Sequence, residues 1–126
     1  MSDSISSDKA PEPVGPYPHA RRVGNLLFLS GVGPRKRGSK EIPEGIEEQC
    51  KAVFQNVKYV LEASGSKWEN LVDVTVFLTN MKDDFATYNR IYKEYFVTNQ
   101  PCRTTVEVTA LPTPISIELK CIATID

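Results

Sequence analysis

The amino-acid sequence predicts an α+β fold with the element order ββαβαββ, in which two helices pack on one face of a mixed sheet. Apolar residues recur at spacings of three and four from Ile46 to Leu61 and again from Phe85 to Phe96, which is typical of two amphipathic helices. Five other segments are short and either β-branched or alternating, which indicates strands. Because a strand separates the two helices, crossover connections are expected, and these place both helices on the same face.

The N-terminal part combines an arm with the first two strands. Residues 1–10 are polar, so we expect a flexible arm that precedes a single domain over residues 11–126. Two short extended segments flank Gly24-Asn25, a dipeptide that suits a tight hairpin turn. The start of the chain does not resemble a signal peptide, and no apolar run approaches the ~20 residues that span a bilayer. These features predict a cytoplasmic protein that does not enter a membrane.

The remaining elements follow in order. The first helix begins near Ile46 and stops at Ser64-Gly65, and Asp83 or Asp84 is expected to cap the second helix. The last three strands are predicted over Leu71–Thr79, Arg103–Thr109 and Ile115–Ile125. In the last strand Ile122 lies on the face opposite the other apolar residues, which makes the second sheet face partly apolar and predicts self-association.

Composition and motifs exclude several function classes. The net charge is −1, which does not favour binding to nucleic acid or to an anionic membrane. The basic segment Arg35-Lys36-Arg37 is a local exception that fits either solvated surface or an anion contact. The three cysteines are far apart and His19 is the only histidine, so no metal site is predicted. Nucleotide-binding glycine loops and serine nucleophile motifs are missing too, and no cofactor is expected.

The candidate chemical residues are Arg103 and Glu118. Alternation in the fourth predicted strand places Thr104, Val106 and Val108 toward the helices, and Arg103 on the other face with Thr105 and Glu107. Glu118 and Lys120 also point away from the apolar side of their strand. The side chains of Arg103 and Glu118 can therefore meet on the open sheet face, if their strands pair or belong to adjoining subunits. An ordinary surface ion pair is the alternative, and it would contribute little.

Several segments together resemble the Rid family, also called the YjgF or RutC-like family. The resemblance runs from about Ala10 to Ile125 and rests on these segments: Val14-Gly-Pro-Tyr17, Gly24-Asn-Leu-Leu-Phe-Leu-Ser-Gly31, Val74-Thr-Val-Phe-Leu-Thr79, Asp84-Phe-Ala-Thr-Tyr-Asn89, Cys102-Arg-Thr-Thr-Val-Glu-Val108, Ile117-Glu118 and Ile122-Ala123. The resemblance implies a chorismate-mutase-like α+β fold. It also implies a homotrimer whose active sites lie between subunits.

The resemblance further implies hydrolysis of small enamine or imine acids to 2-oxo acids and ammonia, without a metal. Arg103 corresponds to the family's arginine for the substrate carboxylate, and Glu118 to its water-handling glutamate. The other matching site positions are Tyr17, Ser30, Gly31 and Asn89.

Some positions depart from the family pattern and indicate a branch within it. Val32-Gly33-Pro34 and the basic segment replace the usual residues after Gly31, and Lys120 stands where a second acid is common. These departures look most like the 2-aminomuconate deaminase branch, whose substrate is a dicarboxylate, and Arg35 or Arg37 would then contact the second carboxylate. The alternatives are a general 2-aminoacrylate-type deaminase, an RNA-cleaving translation inhibitor and a non-catalytic trimer that binds small acids.

Overall fold

Six strands form one mixed sheet, and two α-helices pack on one of its faces. The computed structural model describes residues 3–125. Its elements are β1 (Ser4–Ile5), β2 (Ala20–Val23), β3 (Leu26–Leu29), α1 (Gly45–Ala63), a 3-10 helix (Trp68–Asn70), β4 (Leu71–Leu78), α2 (Met81–Tyr95), β5 (Cys102–Glu107) and β6 (Ile117–Thr124). The strand order is β1-β2-β3-β6-β4-β5, and only the β4–β5 pair is parallel. The predicted fold class is therefore confirmed, with one additional short strand at the start.

Residues 4–10 of the N-terminal segment contact the rest of the chain, and the flexibility expected for residues 1–10 stays a prediction. Ser4–Ile5 pairs with β2, and the Ala10 side chain is 1% exposed. The Arg37 guanidinium donates hydrogen bonds from Nη1 to the carbonyls of Ser7 (3.0 Å) and Ala10 (2.8 Å). Polar composition did not indicate these contacts, because main-chain pairing and a distant arginine provide them. Residues 1 and 2 lie outside the described residues.

The helices have their predicted extents with one change at a cap. Helix α1 ends before Ser64, and Gly65 has a φ of +75°, a conformation that glycine adopts without strain. Helix α2 begins earlier than expected, because Asn80 and not Asp83 or Asp84 is its N-cap. The Asn80 side chain accepts a hydrogen bond from the Asp83 N–H at 3.2 Å. No helix within residues 3–125 combines the length and the apolar character that crossing a membrane requires.

The core lies between the helices and one sheet face. Alternate residues of β6 from Ile117 to Ala123 are fully buried, as are Val74, Val76 and Leu78 of β4. Phe54 of α1 is the centre of an aromatic cluster that also contains Trp68, Tyr92, Tyr95 and Phe96. The opposite sheet face is partly apolar, as predicted, with Phe28 36% and Val106 37% exposed. Self-association through this face stays a prediction.

Strand β5 faces the opposite way from the prediction. In its parallel register with β4, Arg103 pairs with Val74 and Thr105 with Val76, so these β5 side chains share the helix-facing side of the sheet. The hydroxyls of Thr105 and Tyr88 lie 3.0 Å apart, which fixes this orientation. The prediction assumed that the valines of β5 face the core. Because β5 is an edge strand, Val106 can instead remain exposed on the open face.

Candidate active site

The Glu118 carboxylate is a half-buried acid without a protein partner. It lies on the open face of β6, and among residues 3–125 its side chain makes no hydrogen bond or ion pair. Burial raises its pKa above the ordinary 4.5. A carboxylate that is held in a cleft, with a raised pKa and free oxygens, is suited to accept and return a proton.

A β-bulge brings Gly31 against this carboxylate. Phe28 pairs with Ile122 in the β3–β6 ladder, but the next bridge joins Val32 to Leu119, so the β3 side contains one extra residue. The extra residue lets the chain arch over Glu118. A Cβ atom on Gly31 would lie 2.5 Å from Glu118 Oε2, so the close approach requires glycine. The Gly31 N–H has no acceptor among the described residues and can donate to a ligand.

Ser30 and Tyr17 form the wall beside this arch. The Ser30 hydroxyl donates to the Pro18 carbonyl at 2.7 Å, and its N–H donates to the His19 carbonyl at 3.0 Å. These bonds hold the segment that contains Tyr17. The Tyr17 hydroxyl accepts the Val14 N–H at 3.2 Å, and its ring is 41% exposed. Ser30 therefore positions the wall, whereas Tyr17 presents an aromatic surface to the cleft.

His19 also lines the cleft, but both of its ring nitrogens are engaged. Nδ1 accepts the Ser7 N–H at 2.9 Å, and Nε2 donates to the Pro11 carbonyl at 2.8 Å. Because an N–H can only donate and a carbonyl can only accept, these partners require the neutral tautomer with its proton on Nε2. His19 therefore ties the N-terminal segment to the sheet, and it is not a free general base.

The cleft has a volume of about 420 Å³. The polar and charged side chains that line it are Glu12, Tyr17, His19, Ser30, Arg35, Thr113, Glu118 and Lys120. Lys120 follows Glu118 by two residues on the same face of β6, and its ammonium donates to the Leu29 carbonyl. Alternation in the sequence placed Lys120 on the same face as Glu118, but Lys120 was not named as a site residue.

Arg35 and Arg37 differ in their relation to the cleft. Arg35 lines it, but its guanidinium donates to the carbonyls of Glu12 and Ser39 and lies 3.6 Å from Glu12 Oε1. Arg37 is directed to the N-terminal segment through its two carbonyl contacts and is not among the residues that line the cleft. Both guanidinium groups are thus engaged within the chain.

Arg103 belongs to a second cluster on the other side of the sheet. Its Nη1 donates to Asn89 Oδ1 at 2.8 Å, and its guanidinium carbon lies 4.7 Å from the Tyr92 ring centroid and 5.5 Å from that of Tyr88. These contacts orient the guanidinium and leave several of its N–H groups free. Asn89 and Arg103, which the family resemblance names separately as site positions, therefore contact each other. The two tyrosine rings were not predicted in this cluster, because their spacing is that of an ordinary apolar helix face.

The two clusters do not meet within one chain. Glu118 pairs with Phe77 of β4 on the open face, whereas Arg103 pairs with Val74 on the helix-facing side. Strand β4 also separates β5 from β6. The structure therefore brings together Tyr17, Ser30, Gly31 and Glu118 in one half-site, and Asn89 with Arg103 in another.

The two buried cysteines are not suited to act as nucleophiles in this site. Burial raises the pKa of the Cys50 and Cys121 thiols to about 12, which keeps both thiols protonated at neutral pH. Cys102 is exposed beside Arg103 at the start of β5. Within residues 3–125, no three His, Cys, Asp or Glu side chains are grouped so that they could hold a metal ion.

Known proteins share both the sequence and the fold of this chain. The family model described as endoribonuclease L-PSP matches residues 7–125. A RutC family protein of Pyrococcus abyssi is 43% identical over 94% of each chain. Reactive Intermediate Deaminase A of Arabidopsis thaliana is 41% identical over 96% of this chain and 65% of its own length. A 2-iminobutanoate/2-iminopropanoate deaminase of Dermatophagoides farinae is 38% identical over 97% and 95%.

Solved structures agree with this relationship. The yeast protein YEO7 superimposes with a TM-score of 0.95 at 36% identity over the full length of both chains. The Escherichia coli YjgF gene product superimposes with a TM-score of 0.90 at 35% identity over 98% of each chain. With a family model that covers almost the whole chain, these matches show that the chain belongs to the Rid/YjgF/RutC family.

Proposed function

We propose that this protein is a hydrolytic deaminase of small imine or enamine carboxylic acids, which it converts to 2-oxo acids and ammonia. The observation that carries the proposal is the free, half-buried Glu118 carboxylate beneath the Gly31 arch. The names of the Arabidopsis and Dermatophagoides relatives support the same reaction class. No cofactor is required, because water is the only co-reactant.

In the proposed mechanism, Arg103 binds the carboxylate next to the imine carbon through its free N–H groups, and the Asn89 contact maintains its orientation. Glu118 accepts a proton from water while the water oxygen bonds to the imine carbon. The same carboxyl group returns this proton to the nitrogen, which gives a carbinolamine with a hydroxyl and an amino group on one carbon. Glu118 then transfers the hydroxyl proton to the amino nitrogen as the carbon–nitrogen bond breaks, so that ammonia leaves and the 2-oxo acid remains. An enamine enters this sequence after it tautomerises to the imine.

The two half-sites support a homotrimer in which one copy supplies Arg103 and its neighbour supplies Glu118. Within one chain these side chains lie on opposite faces of the sheet, so a single chain cannot use both on one small substrate. The partly apolar open face is the surface that a neighbouring copy would cover, with Phe28 and Val106 among its exposed side chains.

A mixing experiment tests the reaction and the shared site together. Arg103→Met and Glu118→Gln are purified separately, and each is expected to lose at least about 100-fold in kcat/KM for 2-iminobutanoate. When equal amounts are unfolded and refolded together, about a quarter of sites at random mixing contain both native residues, and activity returns. Mixed chains that stay as inactive as the separate variants would contradict the shared site. A parent protein that releases no ammonia from imines would contradict the reaction.

The finer proposal is 2-aminomuconate as the physiological substrate, with a more general 2-aminoacrylate-type activity as the alternative. The basic segment departs from the family pattern, and this departure suggested a dicarboxylate substrate. Arg35 and Arg37, however, donate hydrogen bonds to carbonyl groups of the same chain, so this segment alone gives the dicarboxylate little support. Parallel rates of ammonia release from 2-aminomuconate and 2-aminoacrylate decide between them. Higher kcat/KM for 2-aminoacrylate would favour the general activity.

Two rival functions belong to other classes. RNA cleavage is suggested by the description of the family model, but a net charge of −1 and the engaged His19 give it little support. Salt-sensitive RNA binding together with strand cleavage would favour that rival. A non-catalytic acid-binding trimer would bind 2-oxo acids and tolerate Glu118→Gln without any change in function.

A further inference from the structure

Lys120 is a half-buried cation in the Glu118 cleft without a negative partner. Among the described residues its ammonium makes no ion pair, and its one hydrogen bond goes to the neutral carbonyl of Leu29. Glu118 does not neutralise it, because side chains two residues apart on a strand start about 7 Å apart and no contact joins these two. The cleft therefore contains a separate positive and a separate negative group.

The alternation of β6 and a hydrogen bond to β3 fix the position of Lys120. Alternation along β6 directs Leu119 and Cys121 into the core and Lys120 to the same face as Glu118. Leu29 is the last residue of β3, immediately before the bulge, and its carbonyl holds the ammonium at the edge of the arch. An ammonium has three donors, so two remain available to a ligand in the cleft.

Charge and burial indicate what such a ligand would be. Partial burial lowers the pKa of the Lys120 ammonium, and an anion beside it would oppose this shift. A carboxylate is the complementary group, because a hydrogen bond between an ammonium and a carboxylate is roughly twice as strong as one between neutral groups. Arg35, the other cation that lines the cleft, is already paired with Glu12. Among the described residues that line this half-site, Lys120 is therefore the cation that remains available to a ligand.

We propose that Lys120 binds a second carboxylate of the substrate, so that the cleft is built for imines of dicarboxylic acids. This inference rests on the proposed function, in which Arg103 of a neighbouring copy holds the first carboxylate and Glu118 handles the water. Lys120, and not Arg35 or Arg37, then determines the preference for a diacid over a monoacid.

Binding of stable 2-oxo acids tests the subsite without catalysis. The probes are 2-oxoglutarate and 2-oxopentanoate, which have the same number of carbons and differ in one carboxylate. By titration calorimetry the parent protein is expected to bind the diacid at least about tenfold more tightly. Lys120→Met abolishes this preference, Lys120→Arg preserves part of it, and the exposed control Lys67→Met keeps it whole.

Three results would overturn the subsite: a parent protein without a diacid preference, a folded Lys120→Met variant that retains it, or loss of the preference in Arg35→Met alone. If Lys120→Met fails to fold, a parent protein without the preference still contradicts the subsite, and Lys120→Arg and Arg35→Met still test the assignment to Lys120. Ammonia release from 2-iminobutanoate is measured on the same preparation. A diacid preference without ammonia release would refute the proposed function but would support the Lys120 subsite. Ammonia release without a diacid preference would support the proposed function but would refute the subsite.

Discussion

Replacement of Gly31 by alanine is the most direct test of how the proposed active site is built. The backbone of Gly31 does not have a positive φ, so alanine can adopt its conformation without strain. The new Cβ would lie 2.5 Å from Glu118 Oε2, 3.1 Å from Cδ and 3.6 Å from Cγ. The substitution therefore affects the position of one carboxylate and leaves the main chain unchanged.

The size of the effect follows from these distances. Normal contact between carbon and oxygen requires roughly 3.4 Å, so the carboxylate must move by about 0.9 Å or rotate away from the arch. A misplacement of about 1 Å at a catalytic group can cost about 100-fold in rate. The carboxylate terminates a flexible side chain with free oxygens, so this movement costs little stability, less than about 1 kcal/mol.

The assay follows 2-iminobutanoate, generated by an amino acid oxidase, and measures the ammonia released beyond the uncatalysed rate. We expect kcat for Gly31→Ala to fall about 100-fold, whereas the midpoint of urea unfolding stays close to that of the parent. Gly33→Ala is the matched control. Its Cβ would contact only Ile115 Cδ1, at 3.0 Å, on the same segment but away from Glu118.

Two outcomes would refute this reasoning. If Gly31→Ala turned over imine at the parental rate, Glu118 would not need its observed position, and the proposed role of the arch would be wrong. If Gly33→Ala lost as much activity as Gly31→Ala, general disturbance of the segment would explain both, and the contact with Glu118 would have no special importance.

The remaining predictions concern the core and the titration of the acid. Phe54→Ala should lower the free energy of unfolding by about 3–5 kcal/mol in urea titrations, because its ring is fully buried at the centre of the aromatic cluster, whereas Phe85→Ala at 36% exposure should cost much less. Because burial raises the pKa of Glu118 and the base must be ionised, kcat should fall on the acidic side of a midpoint above pH 4.5. The raised pKa also means that ionisation of Glu118 destabilises the fold, so stability should fall as pH rises from 4.5 through that pKa. Glu118→Gln should remove both dependences, and an unchanged acidic limb in this variant would show that another group titrates.

The sequence predicted those features that depend on local periodicity. The stop of α1 at Ser64-Gly65 and the alternation in β6 are encoded in neighbouring residues, and both are confirmed. The contacts of residues 4–10 could not be predicted, because they depend on pairing with β2 and on Arg37, which is distant in sequence. The N-cap at Asn80 was missed because Asp83 and Asp84 have equally suitable side chains.

The orientation of β5 shows a different limit of sequence reasoning. Its alternation fixed which residues share a face, but not which face lies against the helices. Because β5 is an edge strand, its apolar residue Val106 could remain exposed, and its polar set could lie beside α2. Only the register of β5 with β4, a tertiary property, places Arg103 with Tyr88 and Asn89.

That orientation changes the meaning of the predicted pair Arg103 and Glu118. On one face of one chain, the two charges could neutralise each other, and neither would be available to a substrate. On opposite faces, neither forms an ion pair with another residue of the range 3–125. Arg103 is oriented by Asn89, and Glu118 lies against the arch at Gly31. Association of copies would then bring an acid and a cation into one cleft only when the site is complete. The separation within the chain is thus what keeps both groups free for a substrate.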